Sequence, residues 1–279
     1  HVGFGYAYAL VVLAQALARI GMEGVQLLSI VTSAALLGAI VATFVRRIGP
    51  RAWYAVLVVT FLPFALGIGQ VVLERSAWTA LSTALMFALA LSVLSTRRPG
   101  LNWRARIAAA SLLVPTLAVV VVCLGAELLS VSASPITLPI IAGIVAAALS
   151  NTRLLKVLLR RRGLAATTAE GALRAIEWSS VVTAAIAVVL AFVREAAGLG
   201  TTALVLIVLG VGAALHARAT SRRLSWWAAG ASCTAALWSL CAMLGVGVLE
   251  AYLLPPAMGV ALISLLMAAR GRQTATMYT

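Results

Sequence analysis

Aspartate is absent from the 279 residues, lysine occurs once, histidine twice, and charged side chains of every kind make up only 10% of the chain. A soluble domain carries about 25% charged and about 45–50% apolar residues. A fold surrounded by water has too little interior to hide the 63% apolar content found here. Lipid must be the solvent for much of this surface. The shortage of His and acids thins out the available chemistry as well. There is no H-E-x-x-H, no Gly-rich phosphate loop and no G-x-S-x-G pattern, which argues against a zinc site, ATP hydrolysis by the chain itself and a Ser-centred hydrolase. No cofactor or metal is expected. The three cysteines, Cys123, Cys233 and Cys241, fall in apolar stretches, where a free thiol acts as a small hydrophobe.

The net charge of +14 invites a nucleic-acid reading. A nucleic-acid binder gathers its cations on one face of a folded domain; here they sit in short runs between apolar stretches. About 20 apolar residues cross a hydrocarbon core, and the chain offers candidate spans at 2–18, 25–45, 53–73, 78–95, 107–126, 133–151, 178–193, 199–216, 224–244 and 248–269. The expected fold is therefore an all-α transmembrane bundle of about ten spans. With that count every cation except Arg19, Arg75 and Arg194 falls on one side, including Arg46, Arg47, Arg51, Arg97, Arg98, Arg104, Arg106, Arg218, Arg222, Arg223, Arg270 and Arg272. Lys/Arg bias in short loops marks the cytoplasmic face. This predicts a multi-pass protein of a cytoplasmic (inner) membrane with a cytoplasmic C-terminus, binding no nucleic acid. Trp53, Trp103, Trp178, Trp226 and Trp227 at cytoplasmic span ends, and Trp78 at an outer end, read as headgroup-level belts; Trp238 reads as packing deep in a span.

A faint repeat runs through the chain. Residues 106–144 resemble 222–260, with Arg106 matching Arg222, Leu124 Leu240, Pro139 Pro255 and Gly143 Gly259. Thr83-Ala84-Leu85 echoes Thr202-Ala203-Leu204, and Val58-Val59-Thr60 echoes Val181-Val182-Thr183. Four crossings restore orientation, so the repeat would be parallel. Residues 1–50 would then be the last two helices of a truncated earlier unit, 51–152 a four-helix unit, 153–177 a basic amphipathic cytoplasmic loop, and 178–279 a second unit with a short tail.

In that loop Gly163 is placed to cap a first helix. Thr167 with Glu170 fits a capping box opening a second, in which Glu170 and Arg174 can pair. Lys156, Arg160, Arg161 and Arg162 are expected to contact anionic lipid headgroups or a cytoplasmic partner subunit. His216 reads as interfacial.

Each outer loop holds one Glu: Glu23, Glu74, Glu127, Glu195 and Glu250. Surface pairs are expected for Arg19 with Glu23, Glu74 with Arg75, and Arg194 with Glu195. Glu127 and Glu250 have no basic neighbour in sequence. A carboxylate at the membrane face can bind a cation, relay a proton or act as a base, or it can simply be hydrated. With Tyr252, Pro139 and Pro255 they form the candidate substrate site; no catalytic residue is assigned.

The last span opens Glu250-Ala251-Tyr252-Leu253-Leu254-Pro255-Pro256, preceded by Trp238 and Gly245-Val246. Pro there fits the first turn of a helix. Over roughly residues 224–270 this resembles the E-A-Y-T-L-P element of large polytopic, permease-like membrane proteins of high-GC Gram-positive bacteria, with Leu253 in place of Thr. Residues 134–139 keep only Ser-Pro-Ile-Thr-Leu-Pro. The resemblance implies a repeat-built multispan protein and no established activity.

Three functions fit. A transporter-like protein for an amphipathic or lipidic substrate suits the span count, the possible repeats and the prolines at 63, 115, 139 and 255. A structural or accessory subunit of a larger membrane complex suits the apolar interior and short loops. The membrane portion of an enzyme acting on lipid-linked sugars or acyl chains would call for a long outer loop with paired acids, which these residues lack.

Overall fold

Away from water, each backbone N–H and C=O must find its partner within the protein, and a long apolar segment does this by becoming a helix. The computed structural model of the chain describes residues 2–45, 47–73, 76–96, 101–128, 134–193, 198–220, 223–258 and 261. Among them every regular element is an α-helix. In chain order these are α1 (Val2–Arg19), α2 (Gly24–Phe44), α3 (Pro50–Leu73), α4 (Ala77–Ser95), α5 (Trp103–Leu128), α6 (Ser134–Ser150), α7 (Thr152–Arg161), α8 (Ala166–Val193), α9 (Gly198–Thr220) and α10 (Arg223–Met243). Residues 249–258 form α11. Each of the ten expected stretches overlaps one of these helices; α7 is additional. Among the described residues six helices, α1, α2, α4, α5, α8 and α9, are long and apolar enough to cross a membrane. The α6–α7 pair, bent by 64°, would make a seventh, and Pro50–Ala65 is a shorter apolar helix. Arg46, Glu74, Arg75, Arg97, Arg98, Arg194, Glu195, Arg222, Gly259, Arg270 and Arg272 lie outside the described residues.

The most extensive pairings are α9 with α10, α4 with α5, α6 with α9, α5 with α8 and α2 with α4. Small residues make them close: Ala35, Ala39, Ala110, Ala142 and Ala172 are buried in the contacts, and a Cβ on Gly212 would stand 2.6 Å from the Cα of Ala146. In lipid, helices gain no hydrophobic drive from meeting, so close backbone approach and interhelical hydrogen bonds carry the association. Buried hydroxyls are mostly turned on their own helix, as Thr60 Oγ1 on Val56 O at 2.8 Å and Thr183 Oγ1 on Ser179 O at 2.8 Å. Some bridge helices, such as Thr202 Oγ1 donating to Ala191 O at 3.1 Å. The Tyr6 hydroxyl, donating to the Ala35 carbonyl, seats α1 on α2.

Three sequence readings need correction here. Trp53 is not in a headgroup belt: it is 1% exposed, in the contact between α2 and α3. Trp238 is not deep in the bundle but 45% exposed, with its N–H spent on α11. The helix after Gly163 begins at Ala166, so Thr167 lies inside it and cannot be the N-cap. Gly163 does end α7: at φ +84° its N–H bonds Arg160 O at 2.9 Å, and Leu164 N–H bonds Leu159 O at 3.2 Å. This is the paired closure of a Schellman motif.

Candidate functional site

Glu127 closes the end of α5, and its Oε1 accepts the backbone N–H of Ala77 at 2.9 Å. Ala77 is the first residue of α4, where N-cap Ser76 accepts from Thr79 N–H at 3.4 Å. A helix N-terminus leaves amides unpaired and carries partial positive charge, so this carboxylate acts as a second cap supplied from the neighbouring helix. Glu127→Ala is expected to lower stability by about 1 kcal/mol, the usual worth of a cap, while Glu127→Gln keeps the acceptor and most of the stability. Thermal unfolding of the two variants in detergent checks this, and equal losses would refute the capping role.

Glu250 is exposed in the first turn of α11 and bonds no described residue. Its charge suits the helix N-terminus. Tyr252 locks the α10–α11 turn, its hydroxyl donating to Val246 O at 2.9 Å. The prolines explain the rest. Because α11 begins at 249, Pro255 and Pro256 fall in its second turn, past the first-turn position expected for them. A proline has no N–H for the carbonyl four residues back, so Pro256 leaves the Tyr252 carbonyl without a helical partner. The Trp238 indole N–H fills that role at 2.8 Å. The Glu-Ala-Tyr-Leu-Leu-Pro-Pro run is thus a turn lock. Pro139 is half-buried inside α6. Arg19 and Glu23 form no ion pair; Glu23 is the N-cap residue of α2, without a side-chain cap bond.

At the basic end the structure makes a cleft that the sequence did not suggest. The bend at Asn151 swings α7 away from the axis of α6. Leu155 and Leu159 of α7 pack on the core while Leu154, Val157 and Leu158 face outward. The resulting cleft of about 350 Å³ is lined by Thr152, Arg153 and Lys156 of α7, by Glu170, Leu173, Arg174 and Glu177 of α8, and by Ala219 and Thr220 of α9. None of the five residues proposed for a substrate site lines it.

Arg153 donates twice to Ala219 O, at 3.1 and 2.8 Å, placing a cation at the C-terminus of α9 where the helix dipole favours it. Glu170 pairs across the cleft with Lys156 at 3.0 Å and Arg160 at 3.9 Å, rather than with Arg174 on its own helix. It lies three turns ahead of the apolar part of α8, in an exposed position. The hydrogen bond from Lys156 holds its carboxyl below the ordinary carboxylate range, helped by the charges of Lys156, Arg160 and Arg174. Arg161 and Arg162 end the helix, exposed. His216, expected at the interface, is buried: Nδ1 stands 3.0 Å from Leu149 O, and Nε2 stands 4.0 Å from Oε1 of Glu177. The sequence singled out neither Arg153 nor Glu177, and it offered Arg174 only as a partner for Glu170. The only local hint of the cleft is Ser150-Asn151-Thr152, a polar break ahead of an amphipathic run. Among the described residues no group of three His, Cys, Asp or Glu side chains could hold a metal ion.

Among the described residues these features define an all-helical bundle, six of its helices long and apolar enough to cross a membrane, with a charged cleft between α7, α8 and α9. No known protein family, curated protein or solved structure matches the chain.

Proposed function

We propose that the chain is a membrane scaffold built of parallel four-helix units, a structural or accessory subunit of a larger complex in a bacterial inner membrane. Read as ten spans, α1–α6 and α8–α11, the chain would have its basic cleft and its C-terminus on the cytoplasmic side by the positive-inside rule. The recurrence of one packing scheme supports the reading best. In the first half α1 packs on α2 and α3, α2 on α3 and α4, α3 on α4, and α4 on α5. Replacing α1, α2, α3, α4 and α5 by α5, α6, α8, α9 and α10 reproduces every one of those contacts. The echoes in sequence land on matching helices: Thr60 and Thr183 on α3 and α8, Thr83 and Thr202 on α4 and α9, all four buried. The helices α1 and α10 also end alike, in Schellman closures at Gly21 and Gly245.

In this scheme each unit's last two helices pack on the next unit's first two, so the units line up in a row in which each touches only its neighbours, an arrangement that suits a scaffold. The engagement of Glu127 as a cap also leaves one fewer carboxylate for transport. The resemblance to repeat-built permease-like proteins fits the architecture.

Transport of an amphipathic or lipidic substrate is the second reading, favoured by Pro63, Pro115 and Pro139 inside helices, where carbonyls lose their helical partners. One pair of measurements separates the two. Crosslinked in its native membrane and extracted mildly, the chain is expected to run with partner subunits at fixed stoichiometry. In proteoliposomes the pure chain is expected to leave labelled phospholipid in its own leaflet, shielded from dithionite. A lone species that speeds lipid translocation would overturn the scaffold in favour of transport.

A further inference from the structure

The helix α7 has no counterpart in the repeating scheme. The equivalent junction between α2 and α3 is made by residues 45–49 alone, so joining two units does not require it. It creates the cleft, and the cleft contains an unmet hydrogen bond. Thr152, 5% exposed and part of the lining, has a buried Oγ1 with no partner. A buried hydroxyl is normally paired.

The charges around it are unevenly committed. Both carboxylates already face cations or a ring nitrogen: Glu170 is held by Lys156 and Arg160, and Glu177 faces His216 Nε2. Arg153 is bonded to a neutral carbonyl, and Arg174 makes no hydrogen bond or ion pair to a described residue, its charge acting on Glu170 only at longer range. The lining's cations, Arg153, Lys156 and Arg174, outnumber its carboxylates, Glu170 and Glu177, and a donor hydroxyl in a lining with two guanidinium groups suits a tetrahedral oxyanion, since Arg offers paired N–H groups to phosphate oxygens.

We propose that the α7–α8–α9 cleft binds a phosphate group, with Thr152, Arg153 and Arg174 as its contacts. The phosphate belongs either to a lipid headgroup or to a soluble phosphate. The outward Leu154, Val157 and Leu158 beside the cleft would lie against acyl chains in the first case. The site does not depend on the scaffold reading.

The test uses the full chain in a non-ionic detergent, with thermal unfolding followed during titration by inorganic phosphate, by dihexanoyl phosphatidylglycerol and by neutral dihexanoylglycerol. Stabilisation by the phosphate-bearing probes and not by the neutral one is expected. Saturation by inorganic phosphate would identify a soluble ligand; a response to the phospholipid alone would identify a headgroup. Thr152→Val and Arg174→Gln should each weaken binding about tenfold, the effect of losing one charge-assisted contact. Thr152→Ser should retain it, and so should Arg218→Gln, an exposed cation outside the lining. All four are compared at equal unliganded melting temperature. No response to either phosphate probe, or equal losses in Arg174→Gln and Arg218→Gln, would overturn the site.

Discussion

Gly212→Leu is expected to be among the most damaging single substitutions in the bundle. A Cβ at 212 would lie 2.5 Å from the Cβ of Ala146 and 2.6 Å from its Cα. Side-chain carbons do not approach so closely, and the obstacle is backbone, which cannot rotate aside as a long side chain would. The helices α6 and α9, one of the most extensive pairings in the fold, must therefore separate. Two effects compete. Losing a glycine from a helix interior gains about 1 kcal/mol in propensity, whereas overpacking a tight contact costs about 1–3 kcal/mol for a small addition. Gly212→Ala should thus be mildly destabilising. Leucine adds three more carbons with nowhere to go, and its cost should exceed that range. Thermal unfolding in detergent measures both. Gly230, whose added Cβ meets nothing within 4 Å, supplies the control, and Gly230→Leu should be nearly neutral. Ala146→Gly should rescue part of the Gly212→Ala loss, a coupling that a double-mutant cycle isolates. Equal behaviour of the leucine variants at 212 and 230 would mean that α6 and α9 do not meet at this point.

The sequence revealed where the helices run and concealed which way they face. An apolar run of 20 residues must be helical in lipid, so the ten stretches found helices without any knowledge of packing. Facing is normally read from a polar stripe, and these spans have none, because lipid-facing and core-facing positions are both filled from Ala, Leu and Val. Trp53 and Trp178 begin their spans in the same way, yet one is buried and the other 70% exposed. The end effects were legible only where backbone chemistry is local, as at Gly163, where a positive φ needs a residue without Cβ. Glu127 was visible as a carboxylate lacking a neighbour in sequence; its partner is an amide 50 residues away. The cleft depends on a 64° bend that no periodicity announces, and on the choice by Glu170 of Lys156 over Arg174.

Trp53→Ala should cost about 3–5 kcal/mol, the range for deleting a large buried aromatic. The indole is 1% exposed and stands edge-on to Tyr54, with ring centroids 4.9 Å apart at 70°. Its N–H donates to Thr43 Oγ1 at 3.0 Å, and that hydroxyl donates onward to Ala39 O at 2.8 Å. Tyr54 extends the link, its hydroxyl accepting the backbone N–H of Asn102 at 2.8 Å just ahead of α5. One pair of aromatics thereby joins α2, α3 and the approach to α5. Graded substitutions separate packing from hydrogen bonding. Trp53→Phe keeps a ring and removes the N–H, while Thr43 still has Ala39 O as its acceptor, so no donor is stranded and the loss should be about 1–2 kcal/mol. Thr43→Val strands the buried indole N–H and should cost about 1–3 kcal/mol. The alanine variant, which opens a cavity where three segments meet, should unfold at the lowest temperature of the three. Trp178→Ala, at the head of its expected span but exposed, should change the melting temperature little, and an aqueous quencher should reach Trp178 and not Trp53. If alanine at 53 proves as mild as alanine at 178, Trp53 sits among the headgroups after all, and the α2–α3 contact is held by something else.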